Sequence, residues 1–344
     1  MIVMEIMDGI PVDQSIRKIR RDERLLISIP DPEPMNIWSN YDPLGAINVP
    51  LHHVRKGFSP PQGVFESDYI HIEYTSLTNG RQPFYHRNTD ADEISYHVTG
   101  TRELITEIGT VDLAPGDFSR IPVGVSHDNH GIDDVHFIFY IPQGVVENIP
   151  SHRSTEYRIP PFEGWEPKPA IEFITERLST IGSDNAVYYT DELMLLENAK
   201  TDPLRIPILR ASRLEGVEWL YKSENIWLGS TKLTNVDGTT YTRHRMASEV
   251  QIQVAGKRSL ITQRGTLEIE PGDCVCIPLG CAFTSVVREE SVYITVLMRY
   301  LAEAKKKYTK TAEKTTEELL GKIRGRVQSF HQSGQRNGHE HGRT

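Results

Sequence analysis

The 344-residue sequence is short of cysteine, of basic charge and of long apolar runs. Its three cysteines, Cys274, Cys276 and Cys281, all sit in "CVCIPLGC". A structural zinc site needs a second ligand pair at a usual spacing, and none is present, so these read as reduced side chains in a buried strand. The net charge of −9 leaves no domain-wide basic surface to meet phosphates, which argues against nucleic acid as a partner. No stretch approaches the length of a membrane-spanning helix, so no membrane partner is expected. The start, "MIVMEIMDGI", has no basic region ahead of its short apolar stretch and does not read as a secretory signal. The cytoplasm is the expected compartment. What remains, 38% hydrophobic and 25% charged residues, is the composition of a soluble globular protein long enough for two domains.

The strongest feature present is an internal repeat. "DEISYHVTGTRELITEIGTVDLAPGDFSRIPVGVSH" (92–127) aligns without gaps to "SEVQIQVAGKRSLITQRGTLEIEPGDCVCIPLGCAF" (248–283). Glu93 meets Glu249, Gly100 meets Gly256, Arg102 meets Arg258, and "LIT", "PGD" and "IP" each meet themselves. This many identities in one register imply a duplicated domain. Each copy reads as β, with short alternating segments separated by turns such as "TNGRQP", "APGD" and "TQRGT". In "PGD" the proline sets φ and the glycine takes the permissive position of a tight turn. Closely spaced short strands predict a sandwich or barrel. Two segments have helical periodicity. One is "KPAIEFITERLSTI" (168–181). The other is "TTEELLGKIRGRVQSF" (315–330), with a Thr315–Glu318 capping box and a stripe of Leu319, Leu320, Ile323, Val327 and Phe330. That stripe must be buried against the chain's own barrel or in a homo-oligomer. The lysine run 305–307 reads as a solvated helix face. The expected organisation is an N-terminal barrel (1–165), a connection with a helix (166–205), a C-terminal barrel (206–300), a C-terminal helix (301–330) and a disordered polar tail (331–344) that contains His339 and His341.

In the first copy, "FYHRNTDADEISYHVTG" supplies His86, Asn88, Glu93 and Gly100. "PGDFSRIPVGVSH" supplies Pro115, Gly116, Asp117, Ile121, Pro122, Gly124 and His127. This order resembles the two motifs of the cupin family, and the resemblance covers most of both halves. It implies an all-β bicupin: two jelly-roll β-barrels from an internal duplication.

Beside the resemblance stands a physical account. His86, Glu93 and His127 form a two-histidine, one-carboxylate set, which suits non-haem Fe(II), with Mn(II) the other candidate, and leaves coordination positions open. A barrel lets strands distant in sequence aim ligands at one interior point. Asn88, where the family commonly has a second histidine, is either a weak fourth ligand or a partner for a bound water. Asp90 and Asp92 read as turn residues, Asp92 being the fallback ligand if the register slips by one. Glu93, Ser95 and His97 share a strand face, which makes His97 the candidate catalytic acid/base or a residue supporting the metal ligands. His130, His136, Tyr85 and His71, with Tyr69, are candidate pocket residues. In the second copy Phe283 replaces the last histidine and His244 lies closer to its carboxylate, Glu249. An apolar side chain cannot hold a metal, so the second barrel is expected to be structural. A chelate of His244, Glu249 and a third residue elsewhere stays open.

Among bicupins, "YHRN" and "TEIG" before "PGD" look like homogentisate and hydroquinone ring-cleaving dioxygenases. "HDNHG" and the first-barrel position of the metal are more like gentisate and salicylate 1,2-dioxygenases. The resemblance implies Fe(II) binding of a small hydroxylated aromatic with O2 at one metal, followed by ring cleavage, with His97 as the base. Arg87, Arg102 and Arg120 are candidates to hold a substrate carboxylate or to serve structure. A second subunit, which some hydroquinone-cleaving relatives require, stays open. The alternatives are a metal-dependent bicupin isomerase or decarboxylase, or a non-catalytic small-molecule-binding bicupin.

Overall fold

Turn glycines and alternating apolar residues resolve into strands along most of the chain in the computed structural model. It describes residues 1–7, 15–28, 41–52, 59–78, 80–142, 144, 147–178, 184–212 and 214–325. The first barrel is built on two 16-residue strands, Ala91–Thr106 and His127–Pro142, paired antiparallel along nearly their whole length. Ser59–Ser67, Ile70–Leu77, Gly109–Leu113 and Asp117–Ile121 extend the same sheet. The second barrel is formed by a six-stranded and an eight-stranded sheet. Leu260, Leu267 and Phe283 of one pack with Ala46, Val275 and Ile277 of the other. The matching cluster in the first barrel contains Leu104, Val111 and Ile121.

The duplication is visible in the backbone. Gly100, Gly109, Gly116 and Gly124 have φ of 78°, 114°, 95° and 82°; Gly256, Gly265, Gly272 and Gly280 have 71°, 106°, 94° and 77°. Left-handed φ is where glycine is favoured over residues with a Cβ. At Gly256 a Cβ would also come within 1.9 Å of the Glu290 carbonyl oxygen, whereas at Gly124 it would meet nothing within 4 Å. Gly124→Ala is therefore expected to cost about 1–2 kcal/mol from backbone strain alone. Gly256→Ala should cost clearly more, by the clash, in chemical denaturation of the two variants.

The barrels are not consecutive blocks of sequence. Gly45–Asn48, which precedes the first copy, pairs with Asp273–Ile277 of the second. Pro207–Arg210, which precedes the second copy, pairs with Asp117–Ile121 of the first. Ile2–Ile6 lies parallel to Thr240–His244. The segment 1–165 thus carries strands that complete the other barrel. One continuous apolar cluster joins the barrels, with Ile94, Tyr96 and Phe118 from the first and Val250, Ile252 and Cys274 from the second. Fully burying each large side chain there stabilises by about 1.5–3 kcal/mol.

Two helical expectations change. In 168–181, Pro169–Thr175 is a strand, paired with Asp184–Asp191 and, in parallel, with Tyr85–Asn88. Sheet pairing outweighs the local periodicity over this run, where Ile171, Ile174 and Thr175 are β-branched. The helix of the connection is instead Glu192–Glu197, capped by the Asp191 side chain, which accepts from the Met194 N–H. At the C-terminal end, residues 317–325 are helical. The cap is Thr316, whose Oγ1 accepts from the Leu319 N–H, while Thr315 bonds Thr266 instead. Leu320 and Ile323 pack against Val3, Tyr241 and Ile261 of the chain's own second barrel. The lysine run is no helix face: Glu303–Ala304 and Lys310–Thr311 are short strands, and Lys306 donates to Gln62 and Tyr74. Val327, Phe330 and the tail 331–344 lie outside the described residues.

Candidate metal centre

The strand Tyr85–Asn88 turns His86 and Asn88 to one side and Tyr85 and Arg87 to the other. His86 stands directly opposite His127 in the neighbouring strand, and Glu93 stands opposite Tyr140. Three residues from three stretches of sequence thereby meet inside the first barrel. Glu93 Oε2 lies 3.2 Å from His127 Nε2 and 3.8 Å from His86 Nδ1, and the three ligand atoms fall within 4.8 Å of one another. All three residues are buried. His127 Nδ1 donates to the Val125 carbonyl at 3.1 Å, which leaves Nε2 as the coordinating nitrogen. His86 Nε2 is bonded to Thr175 Oγ1 at 2.6 Å, which orients its Nδ1 inward.

Burial alone would raise the Glu93 carboxyl and lower both imidazoles. For Glu93 and His127 the mutual attraction outweighs it. Glu93 is held well below the usual carboxylate range, and His127 is held above the usual imidazole value. His86 is pushed down to about 3 by burial and then by the neighbouring His127 charge. A divalent cation fits this set: one carboxylate, one neutral imidazole and one imidazole whose proton an ion would displace. A buried Asn88 Oδ1 with no hydrogen-bond partner also marks the cluster as incomplete without a further group. Asn88 Nδ2 donates to Glu93 Oε2 at 3.1 Å. Because Glu93 makes His127 hold its proton more firmly than a free imidazole does, metal affinity should fall as pH is lowered, by up to roughly tenfold per unit for one proton displaced per ion. Zn(II) titrations between pH 8 and pH 6 measure this slope.

The cluster opens onto a narrow cavity of about 40 Å³, also lined by Thr75, Gln82, Phe84, Asn129, His136, Tyr140 and Arg177. Thr175 and Arg177 lie in the connection between the copies, in a stretch whose sequence reads as helix, and so are not legible as site residues. Arg177 lies over the Tyr140 ring, 4.8 Å from its centroid. Of the expected pocket residues, His136 lines this cavity and the four others do not. Tyr85 faces away and bonds Glu192 and Arg81 through its hydroxyl. His130 is paired with Glu103 at 2.6 Å and stacked on Phe162. His71 lines a separate groove with Glu66, where Tyr69 stacks on Tyr300. His97 is also withdrawn from the cavity, between Asp134 and the Gly100 carbonyl. The three arginines serve structure. Arg87 binds Glu172 and Glu107, Arg120 holds Asp92, and Arg102 is buried against Ser95. Asp92 is thus committed to Arg120 and the Val123 N–H, and Asp90 caps the backbone of Arg177 and Leu178.

In the second barrel His244 Nε2 bonds Glu249 at 2.9 Å, and Gln251 donates to the other carboxylate oxygen at 2.7 Å. Phe283 sits opposite Thr242, not His244. Among the described residues, His86, Glu93 and His127 form the only group with metal-ligand geometry. No described helix is long and apolar enough to cross a membrane.

Exchanged strands and matched PGD turns make the fold an all-β duplication of one barrel, and its first copy carries a candidate metal centre. No protein-family model matches the chain, and no curated protein matches it in sequence. Solved structures resemble it. The cupin 2 conserved barrel domain protein from Leptotrichia buccalis is 9% identical, over 75% of this chain and 98% of that one, with a TM-score of 0.44. A Bacillus subtilis oxalate decarboxylase mutant is 12% identical, over 85% and 88%, with a TM-score of 0.43. The Escherichia coli protein Ylba is 11% identical, over 72% and 86%, with a TM-score of 0.44. These likenesses concern the fold alone.

Proposed function

We propose that the first barrel is the active site of a metal-dependent enzyme acting on a small carboxylate, of the decarboxylase or isomerase kind. The observation that carries this reading is the size and lining of the cavity. At about 40 Å³ it has room for roughly three water-sized groups, whereas a benzene ring occupies a cavity of about 150 Å³. Its lining includes one arginine, Arg177, suited to a planar anion. A bound divalent ion would act as a Lewis acid and fix the substrate's orientation. His86, Glu93 and His127 would hold that ion. Arg177 would bind the substrate carboxylate, while Phe84 and Ile138 restrict access by water.

A second reading is an Fe(II) ring-cleaving dioxygenase, favoured by the two-histidine, one-carboxylate set, which leaves neighbouring coordination positions open. It requires the cavity walls to move apart to admit an aromatic ring. Anaerobic reconstitution with Mn(II) or Fe(II) separates the two. Oxalate and other two- to four-carbon acids are followed by NMR and CO2 release; gentisate, homogentisate, hydroquinone, salicylate and catechol are followed with an oxygen electrode. Metal-dependent conversion of a small acid is the expected result. Oxygen consumption with an aromatic and no conversion of any acid would overturn the first reading. On that reading Arg177→Gln raises KM for the acid about 10–100-fold, the loss of a charge-assisted hydrogen bond, with little change in metal content.

A further inference from the structure

Behind the ligands the same two long strands carry a second buried polar group. His97 stands opposite His136 across the pair. The register shifts between Ile132 and Val135 and again between Val135 and His136, and Asp133 takes a φ of 49°. Such a bulge re-aims side chains. Here it accompanies an Asp134 side chain buried between the two histidines. Asp134 Oδ2 accepts from His136 Nδ1 at 2.8 Å, and Oδ1 lies 3.0 Å from His97 Nδ1. His97 Nε2 faces the Gly100 carbonyl at 3.0 Å. With Nδ1 committed to Asp134, His136 has Nε2 left for whatever occupies the cavity it lines.

The sister barrel provides an internal comparison. The equivalent strand pair sets Gln253 opposite Tyr293, and Gln253 donates to Ser291 at 2.8 Å. Gln253, Ser291 and Tyr293, with Arg258 bonded to Gln253 and lying over the Tyr293 ring, close the same part of the second barrel, where the described residues include no metal-type cluster. Scaffolding alone does not call for His, Asp and His. Their presence accompanies the ligands.

We propose that His136 is the proton-transfer group of the first-barrel cavity, oriented by Asp134, and that His97 is a positioning residue acting through Asp134. This rests on the reading of that cavity as a metal-dependent active site. Of the other ionisable side chains lining the cavity, His86, Glu93 and His127 form the ligand set. Arginine does not lose its proton, and burial raises the Tyr140 phenol far above its usual value. His136 is lowered by burial and by the Arg102 charge, against Asp134, so it is uncharged at neutral pH and its Nε2 carries a lone pair. The groups facing it are Asp134, Arg102 and His97. In the step assigned to it, an acidic O–H or C–H of the bound acid breaks and the N–H bond forms at Nε2. The electron pair stays on the substrate, and the same proton returns to product. Asp134, held ionised, stabilises the imidazolium in between.

Nitrogen-15 NMR of the imidazoles tests the assignment in metal-free and Zn(II)-loaded full-length chain. In the metal-free wild type, His136 is expected as the Nδ1–H tautomer by about tenfold or more. Asp134→Asn should erase that preference, and His97→Gln, which installs the sister barrel's residue, should weaken it and move the His136 titration. Zn(II) should shift the Nε2 resonance, and His136→Gln should bind zinc as the wild type does. An Nε2–H tautomer in the wild type would overturn the proposal, as would a tautomer ratio indifferent to Asp134→Asn, or loss of zinc in His136→Gln. If zinc fails to bind the wild type, the metal reading falls, and the tautomer measured without metal still decides the role of His136.

Discussion

His127→Ala and Glu93→Ala are each expected to reduce bound Mn(II) or Zn(II) from about one ion per chain to background. Substituting a mere supporting residue of a metal site typically costs about 10–100-fold in affinity, so loss of a direct ligand should exceed 100-fold. Equilibrium dialysis followed by elemental analysis reads this directly. Glu93 is the more damaging position, because its Oε2 is the atom on which both histidines and Asn88 converge. Its removal leaves His127 buried without the carboxylate that holds its proton. His244→Ala in the other barrel should leave metal content unchanged.

Asp117→Ala is expected to destabilise the protein by about 3 kcal/mol. Asp117 has no exposed surface, accepts from the Ala114 N–H at 2.9 Å and holds Arg210 at 2.7 Å as well as Arg153. Arg210 lies on the exchanged strand that closes the first barrel. The same PGD aspartate in the second copy, Asp273, holds Asn48 at 2.9 Å and Lys310 at 2.6 Å, again latching the exchanged strand. Breaking a buried pair usually costs about 3–5 kcal/mol. The lower end applies because the Arg210 and Arg153 side chains are about a third exposed and can regain water. Asp112→Ala, at an exposed pair with Arg158, should cost no more than about 1 kcal/mol. Chemical denaturation of the two variants side by side provides the comparison.

How much of this the sequence discloses depends on whether the signal is local. The repeat, the turn glycines and the order His86, Glu93, His127 are local or in register, and each has its counterpart in the structure. Phe283, at the position aligned with His127, is equally legible in the second copy. The exchanged strands are not legible, because Gly45–Asn48 is short and its pairing partner lies more than two hundred residues away. The strand Pro169–Thr175 has helical periodicity, and only its pairing with the His86 strand makes it β; that is why Thr175 and Arg177 escape a sequence reading. His97 shares a strand face with Glu93, as alternation requires, but the bulge at Asp133–Val135 places Asp134 between it and the cavity's own histidine, His136. Alternation predicts a face and says nothing about which partner a bulge will deliver there.

Anomalous diffraction from a crystal grown with Mn(II) or Zn(II) tests the central claim most directly. The account predicts one strong peak per chain, about 2.0–2.3 Å from His86 Nδ1, His127 Nε2 and a Glu93 carboxylate oxygen. A peak between His244 and Glu249, or density at neither barrel under saturating metal, would contradict it.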